Sequence, residues 1–172
     1  MTTVKINIRD EAPNDIEVIA DVTKAAFESM EISNHTEQFI VNALRKAGVL
    51  TISLVAEVDG RVVGHIAFSP VSMSDGTVGW YGLGPVSVLP AYQRRGIGKA
   101  LIDAGLIRLK ALGANGCCLV GHPGYYVKFG FKNTAVLAHE GVPPEVFFVL
   151  VFKGNIPCGY VTFHKAFEVT GE

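Results

Sequence analysis

Val86-Ser87-Val88-Leu89-Pro90-Ala91-Tyr92-Gln93-Arg94-Arg95-Gly96-Ile97-Gly98-Lys99-Ala100-Leu101 is the stretch on which the reading of this chain turns. It opens apolar and β-branched, and Pro90 stops that run because proline has no N–H to continue a ladder. Ile97, Leu101, Ile102, Gly105, Leu106 and Leu109 then recur at helical spacing. Gly96 and Gly98 fall where the loop opens the helix, so successive backbone N–H groups can face a bound anion without Cβ obstruction. The positive end of the helix dipole adds to them, and Arg94, Arg95 and Lys99 bring charge to the same mouth. The composition and context are those of a pyrophosphate cradle. A dinucleotide fingerprint needs a third glycine where Leu101 stands. A P-loop needs glycine at Gln93 and a hydroxyl residue at Ala100. Both of those readings fail.

Outward from the cradle, Val78 to Leu89 reads as a strand and Gly116 to Gly121 as another beyond the helix, which makes a βαβ unit, the one place where parallel pairing is implied. Upstream, a short strand over Lys5 to Arg9 precedes a helix marked by Ile16, Ile19, Ala20, Thr23 and Phe27. A second helix follows, with Asn34 and Glu37 spaced as a capping box and Gly48 at its exit. Leu50 to Val58 and Arg61 to Pro70 flank Asp59-Gly60, a two-residue hairpin turn. Val71 to Thr77 reads as a loop. Glu145 to Phe152 and Gly159 to Phe163 close the chain as antiparallel strands. No repeat, low-complexity tract or linker interrupts the 172 residues, so the expectation is one α/β domain over 1–172.

Composition narrows the function classes. With 49% hydrophobic and 18% charged residues the chain is too apolar for disorder. Lys+Arg 15 against Asp+Glu 16 leaves no basic surplus for a phosphate backbone, which speaks against nucleic acid as a partner. No stretch approaches the ~18 to 20 apolar residues of a membrane span and the N-terminus carries no signal-peptide pattern, so a cytoplasmic protein without a membrane partner is expected. Cys117, Cys118 and Cys158 show no metal-ligand spacing and read as buried thiols; no metal is expected.

Gln93-x-x-Gly96-x-Gly98 resembles the Q/R-x-x-G-x-G/A signature of the GNAT superfamily of N-acetyltransferases. Tyr125-Tyr126-Val127-Lys128-Phe129-Gly130-Phe131 is similar to that family's second signature, aromatic residues ahead of a GF pair. Val63-Gly64-His65-Ile66, Gly82-Leu83-Gly84-Pro85-Val86-Ser87-Val88 and Tyr125-Tyr126 further resemble its bacterial YhbS-like subgroup.

The resemblance implies an acyl-coenzyme A N-acyltransferase fold: a mixed, mostly antiparallel central sheet with one parallel βαβ unit and helices on both faces. It implies acetyl-coenzyme A as co-substrate and an amine acceptor that attacks the thioester directly. A non-catalytic acyl-coenzyme A sensor is the alternative, and a homodimer goes with a family in which many members are dimers. Coenzyme contacts fall on Val86, Val88, Gln93, Arg94, Arg95, Gly96, Ile97, Gly98, Lys99, Tyr126 and Phe129. Catalytic parts fall on Ser87, within the strand edge that offers a backbone N–H to the oxyanion, on Tyr126 as proton donor to the leaving thiolate, and on His122 as substrate contact or proton acceptor. Tyr125 reads as the packing residue of the tyrosine pair. Well-known members carry a glutamate on the central strand where this chain has Gly82, so a base comes from Glu37, His65 or His122 through water, or the amine loses its proton to solvent.

Overall fold

The computed structural model describes residues 5–28, 30, 33 and 35–171. In chain order the elements are β1 (Asn7–Asp10), α1 (Ile16–Glu28), α2 (Glu37–Lys46), β2 (Ile52–Val58), β3 (Arg61–Met73), β4 (Trp80–Val88), α3 (Ile97–Ala111), β5 (Gly116–Val120), β6 (Leu137–His139), β7 (Phe147–Val151) and β8 (Gly159–Phe163). Strand order is β1-β2-β3-β4-β5-β7, antiparallel except for β4 against β5. Asp59 and Gly60 both take positive φ (51° and 77°), the backbone that lets a two-residue turn follow the twist of its strands.

Alternation along the strands sends apolar side chains to both faces. Leu54, Ala56, Ile66 and Phe68 meet Leu101, Ile102 and Leu109 of α3 on one face. Val55 and Val62 meet Ile19 and Val22 of α1 and Val41 of α2 on the other. Each fully buried leucine or isoleucine contributes about 1.5–3 kcal/mol from area removed from water. The mixed sheet between helices on both faces therefore forms as the family resemblance implies.

Four local expectations are corrected. The segment read as a loop from Val71 begins as strand: β3 runs on through Pro70 to Met73, and Val71–Met73 pairs with β8. Pro70 is tolerated at this point because the strand is changing partners there, from β4 to β8. β6 had no alternating pattern long enough to read, and it pairs with β8 in parallel, a second parallel pair beside the βαβ unit. Asn34 lies outside the described residues; Thr36 is the N-cap of α2, and Glu37 instead accepts the Ser33 hydroxyl at 2.8 Å through both carboxylate oxygens. The closing strand starts at Phe147 because Pro144–Val146 forms a 3₁₀ turn.

Candidate functional site

β4 and β5 pair only at Trp80↔Gly116, Tyr81↔Cys117 and Gly82↔Cys118. Beyond Gly82 the two strands part, and Leu83 to Val88 has no strand partner on that side among the described residues. The opening is a cleft of ≈ 730 Å³ whose walls come from β4, the loop and first turn of α3, the end of β5 and the end of α1. The side from which each backbone group faces it follows from the register. Leu89 N–H donates to Val63 O at 2.8 Å, so alternation turns the N–H of Ser87 toward β3 as well. The N–H groups of Val86 and Val88 face the cleft. The Ser87 N–H is therefore turned away from the cleft, toward β3.

The cradle forms at the cleft's wide end. Gly96 is the N-cap of α3 at φ 83°, a left-handed conformation that costs glycine little, and the helix begins at Ile97 with its first N–H groups unpaired among the described residues. A Cβ added to Gly98 would stand 3.4 Å from the Tyr125 hydroxyl, so the glycine keeps the floor of the cradle low. Val86, Ser87, Val88, Gln93, Arg94, Gly96, Ile97, Gly98, Lys99, His122 and Tyr126 all line this one cleft. Gln93 Nε2 donates to Val88 O at 3.0 Å, tying the cradle loop to the end of β4. Lys99 is partly neutralised by Asp103 at 2.6 Å.

Two expected coenzyme contacts are not in the lining. The Arg95 guanidinium lies 5.5 Å from the centroid of Tyr92, a ring that does line the cleft. Phe129 packs against Tyr125 and into the α3-side core, with ring centroids 5.7 Å apart. Both were taken from motif membership, and a motif does not say which face a side chain takes. Tyr125 is corrected in the other direction: it lines the cleft beside Tyr126, edge to face at 5.0 Å, with the Lys128 ammonium 4.0 Å above its ring. Burial pushes the Tyr126 phenol up to about 12, so it keeps its proton throughout the neutral range. Burial raises Tyr125 too, with Asp103 adding to it. Gly121 is bare because the ring of Tyr126 lies where its Cβ would be.

Phe27 and Met30 at the end of α1, with Leu83 and Pro85 of β4, form an apolar wall that the sequence reading missed. The amphipathic end of α1 was the available signal. Glu37 does not line the cleft. Exposed His122 does, and its Nδ1 lies 2.7 Å from Pro123 O, an acceptor only, so Nδ1–H is the donor of that bond.

His65 is fully buried on β3, outside the cleft lining. Its Nε2 lies 2.8 Å from Ser53 Oγ, and the Ser53 hydroxyl donates to Glu11, which Arg45 clasps at 2.9 and 2.8 Å. Burial pushes His65 down to about 4 despite the pull of Glu11, so the ring is neutral. Burial opposes the charge of Glu11, but hydrogen bonds from Arg45 and Ser53 outweigh it and hold its carboxyl below the ordinary range.

A family model for an acetyltransferase (GNAT) domain matches residues 50–133. The chain is 36% identical over 129 residues to the uncharacterized N-acetyltransferase YhbS of Escherichia coli K12, covering 74% of each. A GNAT family acetyltransferase from Brucella melitensis, solved in complex with acetyl-CoA, is 50% identical, with a TM-score of 0.85 over 95% of this chain and 98% of that one. Escherichia coli YhbS, solved in complex with CoA, superposes with a TM-score of 0.86 at 31% identity, over 99% of this chain and 96% of that one. With the splayed strands, the bare helix N-terminus and these relatives together, the chain belongs to the GNAT family of N-acetyltransferases, enzymes of the acyltransferase class.

Proposed function

We propose that this protein transfers the acetyl group of acetyl-coenzyme A directly to a primary amine of a small molecule, and that 1–172 works as one catalytic domain. The observation that carries the reading is the unpaired edge of β4. The N–H groups of Val86 and Val88 face a cleft that ends on the open N-terminus of α3. An extended pantetheine arm could pair with that edge as a strand would, while the first turn of α3 takes the pyrophosphate. The relatives from Brucella and Escherichia coli bind acetyl-CoA and CoA, which supports the same ligand here.

The chemistry follows from what faces the thioester. The amine lone pair attacks the carbonyl carbon, and the oxygen that gains charge is held by a β4 N–H already aimed at it, a donor that needs no reorientation during reaction. As the C–S bond breaks, the Tyr126 phenol donates a hydrogen bond to the departing sulfur. At about 12 its own pKa exceeds the ordinary thiol value of ~8.5, so hydrogen bonding is its main contribution, with full proton transfer uphill. The nitrogen gives up its proton and the products are an amide and a free thiol. No residue need form a covalent intermediate.

Thiol release measured over a panel of amines, together with coenzyme A binding by calorimetry, tests the reading. Binding with amine-dependent thiol release supports it. Binding without release on any amine would assign the domain as an acyl-coenzyme A sensor, and absence of binding would remove the cradle.

A further inference from the structure

The gap between β4 and β5 opens on both faces of the sheet, and the two faces are chemically unlike. Gly96, Gly98 and Lys99, at the start of α3, wall it on one face. On the other, α1 runs against β4: the cluster of Ile19 and Val22 takes in Leu89, and Thr23 Oγ1 lies 3.4 Å from Ser87 Oγ. Phe27, four residues on, is about 6 Å further along the helix. Two strand residues cover about the same rise, which brings Phe27 level with Pro85. β5 adds to the same side. Cys117 and Leu119 belong to the α3-side core and Cys118 to the cluster on the opposite face, so alternation turns Val120 to the α1 side.

Phe27, Met30, Pro85 and Val120 all line the cleft and rim this side of the gap. Met30 is 47% exposed and Val120 48%, large apolar side chains left open where a substrate must enter. The charged side chains lining the cleft are Arg94, Lys99 and Lys128, all cations, and no carboxylate lines it among the described residues. The coenzyme reaches the gap from the cradle on the α3 side, so the amine that attacks the thioester there arrives from the α1 side, across the apolar rim. We propose that the acceptor is an apolar primary amine, an alkyl or arylalkyl monoamine, whose hydrocarbon body lies against Phe27, Met30, Pro85 and Val120 while its nitrogen reaches the thioester. This rests on the acetyl-transfer reading and names its substrate class. A second ammonium would meet hydrocarbon and further cations, and a carboxylate would be stripped of water against the same apolar surface.

Thiol release from acetyl-coenzyme A tests this with n-alkylamines, which share one basicity, near ~10.4, and differ only in hydrocarbon. kcat/KM should climb about fourfold for each methylene from ethylamine to hexylamine. Hexylamine should exceed both its isosteric diamine, cadaverine, and ε-aminocaproate by more than about tenfold. Met30→Asp should reverse the order of hexylamine and cadaverine, and Met30→Leu should keep it. A flat alkyl series, or a wild-type preference for the diamine or the amino acid, would overturn the proposal. So would a loss of coenzyme A affinity in Met30→Asp, or a preference for hexanoyl- over acetyl-coenzyme A, since either places the coenzyme's own chain on the rim. A binding arm is independent of turnover. In the coenzyme A complex of ¹³C-methyl-methionine protein, the Met30 signal, assigned by its absence in Met30→Leu, should shift with hexylamine far more than with ethylamine. Should no amine release thiol, the acetyl-transfer reading falls by itself; a Met30 signal indifferent to both amines would overturn the apolar acceptor site as well.

Discussion

The ring of Phe163 lies against Gly82 so closely that a Cβ on residue 82 would stand 2.5 Å from its Cε2. The strand position at which well-known family members carry a glutamate is thus filled from β8, the strand that docks on the end of β3. His139 stacks on the same ring at 5.1 Å, and Phe167 meets it edge to face at 5.2 Å. The absence of a side chain at Gly82 leaves the room that the Phe163 ring of β8 occupies.

Gly82→Glu should consequently destabilise the protein by several kcal/mol, as overpacking and burial of a charge combine. Gly82→Glu with Phe163→Ala should recover much of that loss. Chemical denaturation of the two variants checks the order; equal stabilities would mean that Phe163 is easily displaced.

The pH dependence of transfer should reflect the amine and not the enzyme. An alkylammonium has a pKa near ~10.4, only its neutral form attacks, and His65 at about 4 does not titrate in the neutral range. We expect kcat/KM for an unhindered amine to rise about tenfold per pH unit from pH 6 to 9, with the same slope in His122→Ala. A step within the neutral range that disappears in His122→Ala would make that exposed imidazole the base. A plateau already reached by about pH 6 would point to a carboxylate.

Tyr126→Phe removes the donor at the leaving sulfur and should lower kcat by about 10² to 10³ with coenzyme A affinity little changed. Tyr125→Phe should act in the opposite sense, weakening coenzyme binding more than turnover, because its hydroxyl stands over Gly98. Equal small effects from both would reduce the pair to packing.

Gly98→Glu adds a side chain and a negative charge at the floor of the cradle. Its Cβ meets the Tyr125 hydroxyl at 3.4 Å and Val88 Cγ2 at 4.0 Å, so the fold tolerates it. Coenzyme A affinity should fall more than about 100-fold by calorimetry, given that charge repulsion replaces N–H donors at a helix N-terminus.

Acid sensitivity should be traceable to Asp15. Its carboxylate takes Arg9 at 2.6 and 3.0 Å and the Ala12 N–H at 2.6 Å, and the Arg9 bonds, outweighing burial, hold its pKa below the ordinary value. A depressed folded pKa gives stability that is present above the unfolded value of ~3.9 and is lost as pH falls through the folded one. Asp15→Asn should cost on the order of 1 kcal/mol at pH 7, and the gap from wild type should narrow at an acid pH below that unfolded value. Urea melts at the two pH values measure it.

What the sequence determined by itself is local. The cradle was legible because glycines at 96 and 98, a preceding proline and a helical period all lie within sixteen residues of chain, from Val86 to Leu101. The Asp59-Gly60 hairpin and the three helices were legible for the same reason, since turn chemistry and periodicity act between near neighbours. Only the tertiary structure decided which way Ser87 turns its N–H, because that depends on the register with β3. It also decided that Arg95 and Phe129 are not among the cleft's lining residues, that Phe163 covers Gly82 from 81 residues downstream, and that Glu11, Ser53 and His65 join across three separate segments. Those relations are contacts between residues far apart in the chain, and no spacing in the sequence encodes the face or the distance at which they meet.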